Sequence, residues 1–407
     1  MWKNEVKSIP RVGSITFADC WKVPLDKVFW GDVSGFLLEM KATHGPDLEI
    51  SLDLSSKDSI RQQTTLPIDR LYLVEEMPDS ILHSSMLPPT VTSLDFALHS
   101  DEQVGKQLDL ADSNSIRTLS ITSLLTEQPL DGSRLPRSLT ELRLYNGFCQ
   151  PMTNLPPSLT SLYLGTPNYP FTIHHTPLIQ LWVNQSTALS TSLPYINLRE
   201  LILKSTDVIV LDQITSLNYP VLEKLITGSI VDATPCSQPI NLSTLPTSLT
   251  WLEIDPKRAT TPIPEGVQHL TITFPKTTML ALSTILCDKP SSKLHTLVLN
   301  CYGRRLQESD IPSSLTSLTL YQYKQPLDQC VLKPSLRNLE LPDSSDHIAA
   351  QLQQLPTTIV QLEICLLRDR IKLRRLSPTL FLQSHHNLGQ YCFIHLDTFL
   401  QRIKEMK

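Results

Sequence analysis

Apolar residues recur along most of this chain in one pattern, apolar-x-x-apolar-x-apolar, which appears fourteen times between residues 68 and 364. The clearest copies begin at Leu139 and Leu159, and each follows a Leu-Pro pair whose proline stands three residues upstream. Successive copies lie about 22 residues apart on average, a period typical of solenoids, in which each repeat buries its apolar face against its neighbours. The pattern therefore predicts one repeat body over residues 66–365.

The spacing within each copy predicts a strand. In the copy that contains Leu142 and Leu144, these two residues face the same way in an extended chain, whereas Glu141 and Arg143 face the other way. The proline before most copies disfavours a helix directly upstream, and residues 276–287 form one of the few connections spaced for a short helix. We therefore predict a mainly β fold, a leucine-rich-repeat-like solenoid with one short parallel strand per repeat of about 22 residues and little helix.

The two ends of the chain depart from this repeat. Residues 1–65 are predicted to be an N-terminal segment with two degenerate copies, at Val12/Ile15/Phe17 and at Val33/Phe36/Leu38. Residues 366–407 are predicted to be a C-terminal capping segment, as the end of a solenoid requires. Within it, alternating basic and apolar residues at 370–374 are expected to keep a terminal strand from pairing with another molecule. The apolar stripe of residues 396–403 is expected to form a helix that seals the core.

A group of large side chains interrupts the mainly polar outward positions of the predicted strands. Four of them occupy equivalent positions in consecutive repeats, a tryptophan follows in the next repeat, and a charged residue borders each end. An exposed patch of aromatic and aliphatic residues with a charged rim is typical of a protein-binding site. Two alternatives are that the terminal segments cover this face, or that β-branched residues serve strand propensity alone. The candidate partner-binding residues are Arg143, Tyr163, Trp182, Ile202, Ile226, Trp251 and Glu253.

Composition narrows the classes of partner and chemistry. A net charge of −5 gives no polyanion-binding signal, so we expect neither nucleic acid nor a membrane as partner. No catalytic, cofactor-binding or metal-binding motif occurs, and the eight cysteines show no C-x-x-C spacing, so we expect a non-enzymatic protein without cofactor or metal and with reduced, mostly buried thiols. Because the chain has no long apolar run and no signal-peptide pattern, we expect it in the cytoplasm.

Two sequence motifs recur in phase and carry a resemblance to a known family. The alternation of Leu-Pro-x-Ser-Leu-Thr-x-Leu-x-Leu with Phe-x-x-Pro-Ile resembles the FNIP repeat, a family of units related to leucine-rich repeats and known chiefly from social amoebae. The resemblance covers roughly residues 66–365, although Cys149 stands where the family usually has asparagine. The best single unit runs from 144 to 164 and carries the family pattern at Phe148, Pro151, Leu155, Pro156, Leu159, Leu162 and Leu164.

The exposed strand face and the resemblance together leave three interpretations of the function open. The first is a free-standing scaffold that binds a protein partner of unknown identity through the exposed strand face. The second is a substrate-recruiting adaptor of a ubiquitin ligase, because some family members carry an N-terminal F-box, a pattern that residues 1–65 do not display. The third is a carbohydrate or small-ligand binder that uses Tyr163 and Trp182. We expect the first.

Overall fold

The structure is a computed structural model, and the chain divides into two compact units, Met1–Leu198 and Arg199–Lys407. The fold is mainly β, as the repeat pattern predicts, and helices are a minor part of it. The residues that the structure describes are 14–18, 27–44, 48–54, 67–75, 82–98, 108–123, 129–145, 150–165, 172–175, 177–185, 189, 194–206, 211–230, 241–254, 261–274, 281–286, 293–325, 327, 331–341, 355–366, 369–385 and 391–405.

The first unit carries a parallel sheet. Each sheet strand pairs in parallel with the next sheet strand along the chain, and four two-residue strands on the returns form two further parallel pairs, β4 with β6 and β8 with β10. In chain order, the strands are β1 (Ser14–Ala18), β2 (Glu49–Leu54), β3 (Arg70–Glu75), β4 (Leu82–His83), β5 (Ser93–Leu98), β6 (Leu108–Asp109), β7 (Thr118–Ser123), β8 (Leu130–Asp131), β9 (Glu141–Tyr145), β10 (Met152–Thr153), β11 (Ser161–Leu164) and β12 (Gln180–Gln185), and helix α1 (Lys27–His44) follows β1.

The second unit begins in the same way and ends differently. Its first eight strands pair in parallel in chain order, and its last three continue the sheet in antiparallel fashion. The strands are β13 (Glu200–Thr206), β14 (Lys224–Ile230), β15 (Trp251–Ile254), β16 (His269–Thr273), β17 (Thr296–Asn300), β18 (Ser317–Tyr321), β19 (Asn338–Leu341), β20 (Gln361–Leu366), β21 (Asp369–Arg375), β22 (Leu380–His385) and β23 (Tyr391–His395), with helices α2 (Leu282–Ile285) and α3 (Leu396–Glu405).

The apolar pattern sets the register of the strands in each unit. In the first unit Leu162 of β11 lies opposite Leu142 of β9 and Leu181 of β12. All three are buried. In the second unit the middle apolar residues of β14 to β20 align in the same way, and all of them are buried. Each repeat therefore covers its inward leucine with the leucines of its neighbours, which is why a single repeat has no core of its own.

The prolines that precede the strand copies form a turn of one type. The amide of Leu139 donates to the carbonyl of Pro136 at 3.0 Å, and Leu159 donates in the same way to Pro156. The same turn recurs from Pro88 to Val91, Pro246 to Leu249, Pro264 to Val267, Pro312 to Leu315 and Pro356 to Ile359. Because proline lacks an amide proton, it takes a position where only its carbonyl is used. The turn places the apolar residue three positions after the proline in the core.

The serine and threonine of the Ser-Leu-Thr sequence link neighbouring repeats. The hydroxyl of Ser158 lies 2.6 Å from the carbonyl of Arg137 and 2.7 Å from that of Leu139, both in the preceding repeat. Ser138 donates in the same way to Ile116 at 2.7 Å. The hydroxyl of Thr140 donates to Arg117 of the preceding repeat at 3.1 Å. The serine hydroxyls thus supply donors to carbonyls of the preceding repeat, and the Thr140 hydroxyl adds to the amides of Thr140 and Glu141, which already donate to the Arg117 carbonyl.

Replacing one of these serines should weaken the first unit modestly. We expect Ser158→Ala to lower the free energy of unfolding by about 0.5–1.5 kcal/mol, since one hydrogen bond to a carbonyl of the preceding repeat is lost. Ser85→Ala is the matched control because the Ser85 side chain is exposed. Urea unfolding followed by circular dichroism measures both. Equal losses for the two variants would contradict a linking role for Ser158.

The second degenerate copy expected in the N-terminal segment forms a helix and not a strand. Val33, Phe36 and Leu38 are not a degenerate strand, because they lie within helix α1. This helix buries Leu37 and Met40, which are three residues apart and share a helix face. The strand that follows β1 in the sheet is β2 instead.

The other degenerate copy and the C-terminal helix have different outcomes. Val12 lies outside the described residues, while Ile15 and Phe17 lie in β1. The helix predicted from the stripe at 396–403 is confirmed as α3.

The basic alternation at 370–374 does not protect a terminal strand, so that expectation was wrong. Those residues form β21, which lies between β20 and β22 and is therefore internal. Within the described part of the chain the last strand is β23.

The expectation of mostly buried thiols also fails for two cysteines, because Cys392 is exposed and Cys301 is partly exposed. No helix among the described residues is long and apolar enough to cross a bilayer.

Candidate functional site

In the first unit, three of the predicted site residues lie side by side. Tyr163 of β11 is in register with Arg143 of β9 on one side and with Trp182 of β12 on the other. Each precedes or follows a buried leucine by one residue, so all three point away from the core. The rings of Tyr163 and Trp182 meet edge to face, with centroids 4.3 Å apart. The strand register therefore brings these three side chains to one outward row.

A second tyrosine joins the row on the neighbouring strand. The ring centroid of Tyr145 lies 4.8 Å from that of Tyr163. Tyr145, Tyr163 and Trp182 form what we call the Tyr163 stack. Gly165 makes room for it, because a Cβ at this position would lie 3.0 Å from the Cε1 atom of Tyr163 and 3.3 Å from the carbonyl oxygen of Leu144. Aromatic contacts of this kind contribute about 0.5–1.5 kcal/mol each and hold the rings in place.

The Arg143 side chain, which borders the Tyr163 stack, is held in place by an ion pair with Glu141. The Arg143 Nε atom lies 2.7 Å from the Glu141 Oε1 atom, two residues earlier on the same strand. This hydrogen bond raises the pKa of Arg143 above its ordinary value. Burial raises the pKa of Tyr163, and nearby Arg143 opposes that rise only in part. The Tyr163 hydroxyl therefore stays neutral at physiological pH and can donate or accept a hydrogen bond.

In the second unit, the remaining predicted residues form two adjacent rows. Ile202 of β13, Ile226 of β14 and Glu253 of β15 are in register and lie in one outward row. Burial raises the pKa of Glu253, while Lys224 lowers it by a smaller amount. Trp251 is two residues from Glu253 on the same face. It therefore belongs to the neighbouring row and not to the row of the two isoleucines.

Trp251 is enclosed by a basic residue and a histidine from the two neighbouring strands. Lys224 and His269 flank it in register. The indole stacks on the His269 ring with centroids 4.9 Å apart, and the Lys224 Nζ atom lies 5.5 Å from the indole centroid. A cation over an indole face is attracted by the ring quadrupole. Lys224, Trp251 and His269 form what we call the Trp251 stack.

Burial divides the seven predicted residues. Trp251 is 38% exposed, whereas the other six are only partly exposed. The two stacks and the isoleucine row therefore offer ring edges and one indole rather than a broad bare patch. A surface with aromatic anchors already held by their neighbours loses little side-chain freedom when a partner binds. The fixed orientation of these rings therefore favours binding of a partner more than the size of their exposed apolar area does.

Sequence reasoning missed three residues of these stacks, namely Tyr145, Lys224 and His269. Lys224 and His269 occupy the position just before the middle leucine of their repeats, as Trp251 does. A second outward row read at that position would have found them. Tyr145 lies three residues after the middle leucine and is displaced along the strand. Only its contact with Tyr163 on the next strand assigns it to the site.

A polar groove lies on the same sheet face further along the second unit. Its volume is about 450 Å³, and its lining includes Glu340, Glu363, Lys372 and Tyr391. Glu340 and Glu363 are in register on β19 and β20. The Glu363 carboxylate lies 3.5 Å from the Lys372 Nζ atom of β21. The groove could not be predicted from the repeat, because six of its fourteen lining residues belong to the antiparallel strands that follow the last repeat.

Two histidine–aspartate pairs lie outside both stacks. His83 pairs with Asp109 at 3.4 Å and His395 with Asp397 at 3.5 Å, and both histidines are about half exposed. Such pairs at the surface act as weak ion pairs when the histidine is protonated. Within the described ranges, no three His, Cys, Asp or Glu side chains come together in a way that could hold a metal ion.

The comparisons with known proteins agree with the repeat pattern. The FNIP Repeat family matches residues 127–166 and 302–344. The first segment contains β9 and β11 with Arg143, Tyr145 and Tyr163, and the second contains β18 and β19. No curated protein matches the chain significantly. The family match therefore covers the strands that carry Arg143, Tyr145 and Tyr163, whereas Trp182 and the whole Trp251 stack lie outside the matched segments.

Proposed function

We propose that this FNIP-repeat protein is a non-enzymatic interaction scaffold that binds a partner protein through the outward face of its strands. The observation that carries the proposal is the presence of one aromatic stack on the outward strand face of each unit. Tyrosine, tryptophan and arginine dominate the binding energy of protein interfaces. The Tyr163 stack has Arg143 in register beside it, and the Trp251 stack has Lys224 over its indole. The expected cytoplasmic location belongs to the same proposal.

The contacts of the rings favour a protein partner over a carbohydrate. Sugar rings stack on an open aromatic face, but Tyr163 and Trp182 meet edge to face and are only partly exposed. One face of the Trp251 indole is occupied by His269, since the two rings are nearly parallel at 24°. Ring edges, a tyrosine hydroxyl and flanking charges can instead contact the mixed polar and apolar surface of a folded protein.

Replacing a tryptophan of either stack should separate binding from stability. We expect Trp182→Ala or Trp251→Ala to weaken partner binding by about 2 kcal/mol or more, as for a central residue of an interface. Trp251→Ala should leave the melting temperature nearly unchanged, because the Trp251 side chain is exposed. The measurement is affinity purification with quantitative mass spectrometry, followed by titration of each captured protein. Glu363→Gln, in the polar groove, is the matched control and should bind as the parent does.

The outcomes assign the surface and distinguish the alternatives. Partners lost from one tryptophan variant and kept by the other identify which stack binds. Equal binding by the parent and both tryptophan variants would remove both stacks from consideration. Capture of a cullin and its F-box-binding linker subunit would favour a ubiquitin-ligase adaptor. Binding to a glycan array, with no protein partner sensitive to either tryptophan, would favour a carbohydrate binder.

A further inference from the structure

The last strand of the second unit presents an edge with no other strand beside it in the described part of the chain. β23 runs from Tyr391 to His395 and pairs there only with β22. A strand with one free edge carries backbone amide and carbonyl groups that can pair with another chain. Proteins usually protect such an edge with charged residues, proline or a covering element.

None of the usual protecting residues occurs in β23. Its sequence is Tyr-Cys-Phe-Ile-His, with no lysine, arginine, acidic residue or proline. The contrast within the same sheet is direct, because internal β21 carries Arg370, Lys372 and Arg374. The charges that could protect an edge therefore lie two strands away from it. The edge strand itself has high strand propensity and no lysine, arginine or carboxylate side chain that would repel a second strand.

Two aromatic side chains of β23 are largely exposed. Tyr391 is 71% exposed and Phe393 is 72% exposed. They are two residues apart and share one face of the strand, whereas Ile394 points the other way and is buried. Helix α3 follows directly and buries Phe399 and Leu400 while leaving the two aromatics exposed. Large apolar side chains exposed to this degree on a free edge mark an interaction site.

We propose that two copies of this chain associate through antiparallel pairing of their β23 strands. A two-fold axis at Phe393 would place Phe393 opposite Phe393 of the second copy and Tyr391 opposite its His395. This register pairs all five residues of the strand. The sheet is already antiparallel from β20 to β23, so the second copy continues the existing pattern of hydrogen bonds.

A second copy suits this edge better than an unrelated partner. An antiparallel pair of identical strands is self-complementary, and the interface closes after two copies. The uncharged strand neither repels itself nor selects a charged partner. Each exposed ring offers roughly 150 Å², so the four rings of a pair contribute roughly 600 Å² before the strand edges are added. Specific interfaces bury at least about 1,000 Å² of surface in total. We therefore expect a dimer with a micromolar dissociation constant.

Charge substitutions at Phe393 test the pairing directly in the full-length chain. Sedimentation equilibrium of the parent should give a mass near twice 45.9 kDa at high concentration. Phe393→Glu and Phe393→Arg should each raise the dissociation constant by at least about tenfold, because like charges then lie directly opposite each other. An equimolar mixture of the two variants should form the dimer again. Leu217→Glu changes an apolar residue that is 83% exposed elsewhere and should leave dimerisation as in the parent.

Several results would overturn the proposal. A parent chain that stays monomeric, or a Phe393→Glu chain that dimerises as the parent does, would exclude β23 as a self-association edge. Failure of the mixture to dimerise, with both variants folded by circular dichroism, would exclude the antiparallel two-fold arrangement. Growth beyond the dimer with concentration would also exclude it. Loss of the dimer in Leu217→Glu would place the interface elsewhere.

Discussion

Leu162→Ala should lower the free energy of unfolding by about 2–5 kcal/mol, the range for removing a buried leucine side chain without collapse of the surroundings. Leu162 is 1% exposed and lies between Leu142 and Leu181 in the parallel register. Both neighbours belong to strands fixed by their own repeats, so they cannot move together to fill the space. Urea unfolding followed by circular dichroism measures the loss.

Ser161→Ala is the matched control for this substitution. Ser161 precedes Leu162 on β11 and points to the opposite, outward face of the sheet. Its replacement should change the free energy of unfolding by less than about 0.5 kcal/mol, as for most surface substitutions. A damaging Ser161→Ala together with a neutral Leu162→Ala would mean that the sheet faces are assigned the wrong way round.

Gly228→Ala should be the second strongly destabilising change, at about 1–3 kcal/mol or more, because an added methyl group has no space. A Cβ at Gly228 of β14 would lie 1.9 Å from the carbonyl oxygen of Lys204 on β13. That atom belongs to the backbone of the neighbouring strand, so no side-chain rotation relieves the clash. The pairing of β13 with β14 must shift locally. Thermal and urea unfolding of the second unit measure the effect.

Gly303→Ala tests whether loss of a glycine alone explains the result. A Cβ at Gly303 would have nothing within 4 Å, and alanine restricts the unfolded chain more than glycine does. We therefore expect Gly303→Ala to be neutral or slightly stabilising. A similar loss for both glycine variants would show that close approach of the β13 and β14 backbones is not the reason for glycine at position 228.

The positions of the candidate site residues were predictable to the extent that they follow the repeat. Arg143, Tyr163 and Trp182 were found because equivalent positions of a 22-residue repeat, about one solenoid turn, align on adjacent parallel strands, and the register confirms their alignment. Tyr145 was missed because its contact with Tyr163 crosses between different positions of two repeats. His269 was missed because only one outward row of the repeat was considered, although its parallel stacking on Trp251 also depends on ring orientation. A period gives positions along strands but not the directions of side chains.

The N-terminal segment shows where the pattern itself is ambiguous. Val33, Phe36 and Leu38 satisfy apolar-x-x-apolar-x-apolar, but a spacing of three residues also suits one face of a helix. The chain forms α1 there, and the Lys41 Nζ atom of this helix lies 2.5 Å from the Asp69 Oδ1 atom next to β3. A tertiary contact of that kind favours the helix and has no counterpart in the local sequence.

The sequence by itself determined the strand ladder, its inward leucines and its proline turns, because each follows from residues within one repeat and its neighbours. Only the tertiary structure decided how the ladder ends. After β20 the chain turns back, so that β21 with its basic residues becomes internal and the uncharged β23 becomes the last strand. The physical reason is that strand direction and edge position depend on how a whole segment pairs. Alternating polar and apolar residues fit a parallel and an antiparallel neighbour equally well.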